Sequence, residues 1–283
     1  MAGRLDVVAT PIGNLGDLSP RARESLVGAA LIAAEDTRHT GQLLNAIGIA
    51  ARLISLHDYN EQGRIEGLVQ QLQEGKTIAL VSDAGTPLLS DPGFALVRAA
   101  AAAGIEVRAI PGPSALTAAL SIAGVATDRF VFEGFLPSRQ AERRTWLARL
   151  QQEPRTLVFF EAPHRIAATL ADLAQIFGDE RLAVITRELT KMHESVYRGS
   201  LRELCELAQS NADLSRGEIT LVVAGASRGE AAGGDSDLLA RALRLLLQEL
   251  PPARAAAIAA QLAGCKRSDA YELAVRMRAE RVP

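Results

Sequence analysis

Cysteine is nearly missing: Cys205 and Cys265 are the whole supply in 283 residues. That pair can build neither a disulfide scaffold nor a cysteine-rich zinc site, so a reducing, cytoplasmic setting is expected. His39, His57, His164 and His193 fall at no metal-ligand spacing, and no metal is expected. Lysine is scarce too. Lys76, Lys191 and Lys266 are the only ones, so arginine carries nearly all the positive charge. The 31 basic and 33 acidic residues leave a formal net charge of -2. A uniformly basic nucleic-acid coat is thereby excluded, while a local RNA-binding surface is not. Aromatics are 4% of the chain, and Trp146 and most phenylalanines suit packing better than a base-stacking platform. No apolar run reaches membrane-spanning length. Met1-Ala2-Gly3-Arg4-Leu5-Asp6 has no signal-peptide core before its first acid, so no secretory leader is expected. No nucleophile elbow occurs.

What is present is apolar bulk, 48% of residues, in a chain long enough for about two domains. Short apolar runs read as strands over residues 5–10, 31–34, 53–56, 77–81 and 106–110. Helical patterns between them cover about 19–29, 40–47, 65–73 and 92–103. Ser19 is placed as an N-cap with Pro20 at the first helical position. This alternation predicts a three-layer α/β unit, with polar loops at the strand ends where open α/β sheets bind ligands. Ile110-Pro111-Gly112-Pro113-Ser114 is a stiff boundary. After a helix over 114–122, a second α/β unit is expected, with strands at 130–132, 156–160, 181–186 and 219–224. Its helices are placed at 139–151, 166–177 and 201–209. Residues 225–234 read as a linker. Helices at about 237–249 and 253–262, and a third capped by Ser268, form a small tail. The expected domains are 1–114, 115–225 and 235–283.

Five clusters can do chemistry. Pro11-Ile12-Gly13-Asn14-Leu15-Gly16-Asp17 follows the first strand, and its glycines would let backbone approach a nucleotide-like ligand, or simply make a tight turn. It is neither a dinucleotide fingerprint nor a lysine-containing phosphate loop. Glu35-Asp36-Thr37-Arg38-His39 gathers charges that are costly to bury unpaired. Asp36 can orient or deprotonate a hydroxyl and Arg38 can hold phosphate; a capped helix with a surface ion pair is the plainer reading. In Ser82-Asp83-Ala84-Gly85-Thr86-Pro87, Asp83 sits just past a buried strand, able to accept from a ligand amine or hydroxyl. Ser90 or Asp91 is placed as the cap of the following helix, begun by Pro92. Phe159-Phe160-Glu161-Ala162-Pro163-His164-Arg165 and Glu188-Leu189-Thr190-Lys191-Met192-His193-Glu194 repeat the strand-end arrangement in the second unit.

Taken in order, these strings, with Ser90-Asp91-Pro92-Gly93, Pro111-Gly112-Pro113-Ser114-Ala115 and Gly217-Glu218-Ile219, resemble the tetrapyrrole methylase superfamily. More narrowly they resemble its bacterial small-subunit ribosomal RNA methyltransferases, through about residue 225. The resemblance implies a two-domain class III methyltransferase, α/β with a small C-terminal helical module. It implies a homodimer that binds S-adenosylmethionine between domains and 2'-O-methylates a cytidine in the decoding region of 16S ribosomal RNA, within the small subunit. Carried over by position, Asp83, Ala84, Gly85 and Pro87 form the cofactor loop. Gly112, Pro113, Ser114 and Ala115 make the interdomain cofactor contact, and Pro11 and Gly13 line the entrance. Glu35, Asp36, Thr37 and Arg38 lie beside the transferable methyl group. Phe160, Glu161, His164 and Arg165 form the opposite wall, with Lys191 and Glu194 also on the substrate side. Tyr59 departs from the family pattern, which often has a small polar residue or histidine there.

On this reading Asp36 is the first choice for the base, with Glu35 as its substitute, and Arg38 positions a phosphate. Residues 226–283 carry 9 basic and 7 acidic residues, and Lys266, Arg267, Arg276, Arg278 and Arg281 are candidates for RNA contact. A tetrapyrrole or other small-molecule methyltransferase, and a noncatalytic ribosome-binding protein, are the alternatives.

Overall fold

A computed structural model describes residues 3–57, 61–226 and 231–279. Tyr59 and Arg281 lie outside the described residues. The first sheet has β1 (Arg4–Val8), β2 (Leu31–Ala34), β3 (Leu53–Ser55), β4 (Thr77–Val81) and β5 (Glu106–Ile110) in the order β3-β2-β4-β1-β5. Its strand pairs are all parallel. β2 is buried at every position, which is why its apolar run does not alternate. Helices α1 (Pro20–Gly28), α2 (Thr37–Ala46), α3 (Glu61–Gln73) and α4 (Phe94–Ala102) connect the strands, and apolar clusters cover the sheet on both faces. Ser19 caps α1 as expected, accepting from the Ala22 N–H at 3.1 Å. α4 departs from expectation. Its cap is Gly93 in the left-handed region (φ 119°), without a side-chain cap bond, so neither Ser90 nor Asp91 caps it.

One charge sits inside this sheet. Asp6 on β1 is fully buried and pairs with Arg108, its register partner on β5, at 3.0 Å. Arg4 at 2.9 Å and the Ser25 hydroxyl at 2.7 Å complete its surroundings. Burial works against the carboxylate, but these partners hold its pKa below the ordinary value.

α5 (Ala115–Ala123) leads into a second sheet of β6 (Phe130–Phe135), β7 (Thr156–Glu161), β8 (Leu182–Arg187), β9 (Ser195–Ser200) and β10 (Ile219–Val223). Their order is β6-β7-β10-β8-β9, with only β6 and β7 parallel. β9 has no counterpart among the expected strands. Its SVYRGS sequence carries no apolar run, because an edge strand of intermediate burial needs none. α6 (Gln140–Leu150), α7 (Ile166–Phe177) and α8 (Leu201–Ser210) pack on one face. α5 covers the other, in a cluster that also takes Ile12 from the first half of the chain.

The tail is α9 (Ala231–Glu249), α10 (Pro252–Ala263) and α11 (Arg267–Ala279), joined by an alanine-rich core. α9 starts inside the expected linker, and α11 starts at Arg267, so Ser268 stands within its first turn rather than at its cap. No helix among the described residues is long and apolar enough to cross a membrane.

Candidate active site

β1 and β4 are neighbours whose chains leave toward opposite edges of the sheet, the arrangement that opens a crevice at strand ends. The loops after these strands are tied together. Thr10 N–H donates to the Gly85 carbonyl at 2.9 Å and Gly85 N–H to the Thr10 carbonyl at 3.1 Å. Gly85 has φ 83°, and a Cβ there would lie 3.2 Å from Ile12 Cγ2, so glycine is required at this close approach. The Thr86 hydroxyl donates to the Pro113 carbonyl at 3.0 Å, fastening the same loop to the turn between the two sheets.

These contacts frame a cavity of about 460 Å³ between the sheets. That is within the size range of small-molecule sites. Glu35, Asp83, Ala84, Gly85, Ser114, Ala115, Phe160 and Glu161 line it, all of them expected site residues. Asp91, Thr86, Ile12, Leu89, Phe135 and Glu218 also line it and are not among the expected ones. Asp91 escapes sequence reasoning because Asp-Pro before a helix is an ordinary capping signal. Phe135 carries no pattern beyond a strand end, yet it packs edge-on to Phe160 with ring centroids 5.7 Å apart.

Backbone strain collects at this cavity. Leu88 (φ 70°), Ser90 (74°), Glu188 (53°) and Thr190 (65°) are the non-glycine residues of positive φ among those described. They lie in the loops after β4 and β8, and strain of this kind clusters at functional sites. The β4 loop reaches the second sheet: a Cβ on Gly134 of β6 would come within 2.9 Å of Ser90 Oγ.

The remaining expected residues have other placements. Asp36 caps α2, and its Oδ1 accepts the Arg38 N–H at 2.7 Å. The Arg38 guanidinium pairs with its Oδ2 at 2.9 Å. The Arg38 side chain, followed by its backbone N–H, pulls the Asp36 pKa down to about 2. A carboxylate held that low is a weak proton acceptor, and Glu35, not Asp36, is on the cavity wall. Asp83 accepts the Asp36 N–H at 2.9 Å, so it holds the Glu35–Asp36 corner in place. Thr37 is the first residue of α2.

Gly13 is required for a different reason than ligand approach. A Cβ there would lie 2.3 Å from Lys191 Cγ and 3.1 Å from the Leu189 carbonyl, so the β1 and β8 loops meet at this point. Gly112 likewise abuts the Ala9 side chain. Pro11 and Pro87 flank the tied loops without lining the cavity. Arg165 pairs with buried Glu161 at 3.1 Å and donates to the Leu136 carbonyl at 2.7 Å, so it braces the wall. Glu161 also accepts the Thr169 hydroxyl at 2.6 Å. His164 is exposed in the turn after β7, away from the cavity wall. Lys191 is held by Glu188 at 2.8 Å and Glu218 at 3.2 Å. Burial works against its charge, yet those acids raise its pKa. Glu194 accepts the Thr190 N–H at 2.6 Å, supporting that strained residue.

A parallel sheet, a mixed sheet and a shared cavity at their strand ends define a two-domain class III methyltransferase fold with a helical appendix. Residues 4–205 match Tetrapyrrole (Corrin/Porphyrin) Methylases, and residues 232–278 match the RsmI C-terminal HTH domain. The chain belongs to the tetrapyrrole methylase family, in its branch of ribosomal RNA small subunit methyltransferases I. The protein of that name from Xylella fastidiosa (strain Temecula1) is 52% identical over 269 residues, 95% of this chain and 98% of the relative. Its counterpart from Pseudomonas aeruginosa is 50% identical over 277 residues, 97% of this chain and 98% of the relative. Among solved structures, the methyltransferase CobJ matches with a TM-score of 0.59 at 20% identity, covering 80% of this chain and 95% of that one. Diphthine synthase matches with a TM-score of 0.59 at 17% identity, covering 81% and 92%. These two likenesses show the shared fold.

Proposed function

We propose that the chain uses S-adenosylmethionine to methylate 16S ribosomal RNA of the small subunit, at the ribose 2'-hydroxyl of a cytidine in the decoding region. The observation that carries this reading is the cavity between the sheets, in a chain whose close relatives are named for small-subunit ribosomal RNA methylation. The residues present fit the cofactor. Gly85 brings backbone to the cavity wall in a left-handed conformation (φ 83°) that a side chain rarely adopts. Ile12, Leu89, Phe135 and Phe160 offer apolar surface to an adenosyl group, and Asp83, Asp91 and Glu35 offer negative charge to a cation. When bound, S-adenosylmethionine supplies a methyl group on positively charged sulfur.

The chain's own work is then positioning and proton removal. Ala84, Gly85, Ser114 and Ala115 hold the cofactor side of the cavity. Phe135 and Phe160 exclude water. Glu35 takes the proton of the incoming hydroxyl, while Asp36 caps α2 and aims Arg38 outward at a neighbouring phosphate. The helical tail, through Lys266, Arg267, Arg276 and Arg278, adds contacts to ribosomal RNA. The resemblance further carries a homodimer in the cytoplasm, which sedimentation would check.

The deciding experiment incubates the protein and labelled S-adenosylmethionine with unmodified small subunits, then maps ribose methylation by mass spectrometry. A single labelled cytidine ribose in the decoding region is the expected result. Unlabelled subunits with label on a tetrapyrrole offered in a parallel reaction, or cofactor binding without transfer to either, would select one of the alternative readings.

A further inference from the structure

The cavity's charge is one-sided. Glu35, Asp83, Asp91, Glu161 and Glu218 all line it, and no lysine, arginine or histidine does so among the described lining residues. Most of these acids are engaged in holding the wall. Glu161 is paired with Arg165 and Thr169, Glu218 with Lys191, and Asp83 accepts the Asp36 N–H. Glu35 also has a partner. Asp91 is different. It stands in the strained loop between Ser90 (φ 74°) and Gly93 (φ 119°), where that loop crosses to β6. The groups acting on it are the Ser82 hydroxyl and the like charge of Asp83.

We propose that Asp91 makes the cavity discriminate by charge at sulfur, favouring the methyl donor with its cationic sulfonium over the product, whose sulfur is neutral. The inference rests on the methyl-donor reading of the cavity. Transfer breaks the sulfur–methyl bond with its electron pair remaining on sulfur, forms the oxygen–methyl bond, and releases the hydroxyl proton. The sulfur's charge is thereby neutralised. A carboxylate facing a partly desolvated cavity gains from a cation there and gains nothing from a neutral thioether. Burial raises the Asp91 pKa to about 6; the Ser82 hydroxyl, the next largest influence, works against it, and the like charge of Asp83 adds to the rise. Its charge therefore changes near neutral pH. Above about 6 the residue is ionised and discriminates; below that it is protonated and does so less.

Titration calorimetry with S-adenosylmethionine and S-adenosylhomocysteine, on the wild-type chain and Asp91→Asn, at pH 8 and pH 5, tests this. Wild type is expected to prefer the cation by about tenfold at pH 8, the scale of one partly solvated ion pair, and clearly less at pH 5. Asp91→Asn is expected to show a small preference that is the same at both pH values, with an intact cooperative melt. A variant that keeps the wild-type preference and its pH dependence would overturn the role of Asp91. Failure of wild type to bind either nucleoside would overturn the methyl-donor reading itself.

Discussion

Glu35 and Asp36 are adjacent in the chain, yet their surroundings assign them different work. Exchanging Glu35 for Gln removes the acid on the cavity wall, and single-turnover methyl transfer at saturating RNA and cofactor should fall by about 10²–10⁴-fold. Asp36→Asn should leave that rate close to wild type and lower the melting temperature slightly instead, because it removes the exposed Arg38 ion pair while the amide oxygen can still cap α2. The Asp36 pKa is depressed to about 2 from 3.8. The wild-type advantage over Asp36→Asn should therefore be complete above pH 3.8 and vanish as pH falls through about 2. Asp91 has the opposite sign. Its folded-state pKa is raised to about 6, so ionising it opposes folding, and the penalty grows as pH rises from 3.8 through 6. Melting curves at pH 5 and pH 8 should show Asp91→Asn gaining stability relative to wild type mainly at the higher pH. A gain confined to pH 5 would contradict this account of the carboxyl. The motif containing Asp91 is visible in the sequence. Its position on a cavity wall is not, since that depends on a left-handed loop that side-chain pattern does not encode.

Elements are legible where burial writes a pattern into residue type. β2, β4 and β5 fall where their apolar runs place them, and α7 has the expected ends. Ser19-Pro20 starts α1 because a capping hydroxyl and a proline at N1 act locally. β9 escapes because its residues are half exposed and carry no apolar run, although it pairs with the preceding strand β8 as a hairpin. The start of α4 escapes because a glycine in the left-handed region opens it without a side-chain cap. The loops are legible as sites but not as geometry. Gly13 and Gly85 look alike in sequence, and only their contacts separate a meeting of two loops from a tied ligand loop. Gly85→Ala would force a side chain into φ 83° against Ile12. It should cost about 1–2 kcal/mol by denaturant unfolding and weaken S-adenosylmethionine binding measured by calorimetry. Full-strength binding in that variant would contradict the placement of the Gly85 loop at the ligand.

Across the whole molecule, charge is arranged rather than abundant. The net value of -2 conceals a cavity walled by acids and a tail with an exposed basic helix, Arg267, Arg276 and Arg278 on α11. RNA, as a polyanion, is repelled by the first and attracted by the second. Reversing Lys266, Arg267 and Arg276 to Glu in the full chain should weaken small-subunit binding and flatten its salt dependence, by a slope of roughly 0.7–0.9 for each phosphate no longer neutralised. Cofactor affinity should stay unchanged. Filter binding across a salt series checks the first outcome, and an unchanged slope would remove the tail from the RNA interface.

The order of β10 in its sheet bears on how the protein comes off the ribosome. β10 is the last strand among the described residues, yet it lies between β7 and β8. Until Val223 has emerged, those two strands have no common neighbour, and Ile219 and Thr220 are missing from the cavity wall. The first sheet can assemble once Ile110 is available, since domains form as units during synthesis. A nascent chain therefore carries a finished half-site through the synthesis of more than a hundred further residues. Premature termination anywhere in that stretch yields a polypeptide with the loops proposed for the methyl donor but no opposite wall to close the cavity.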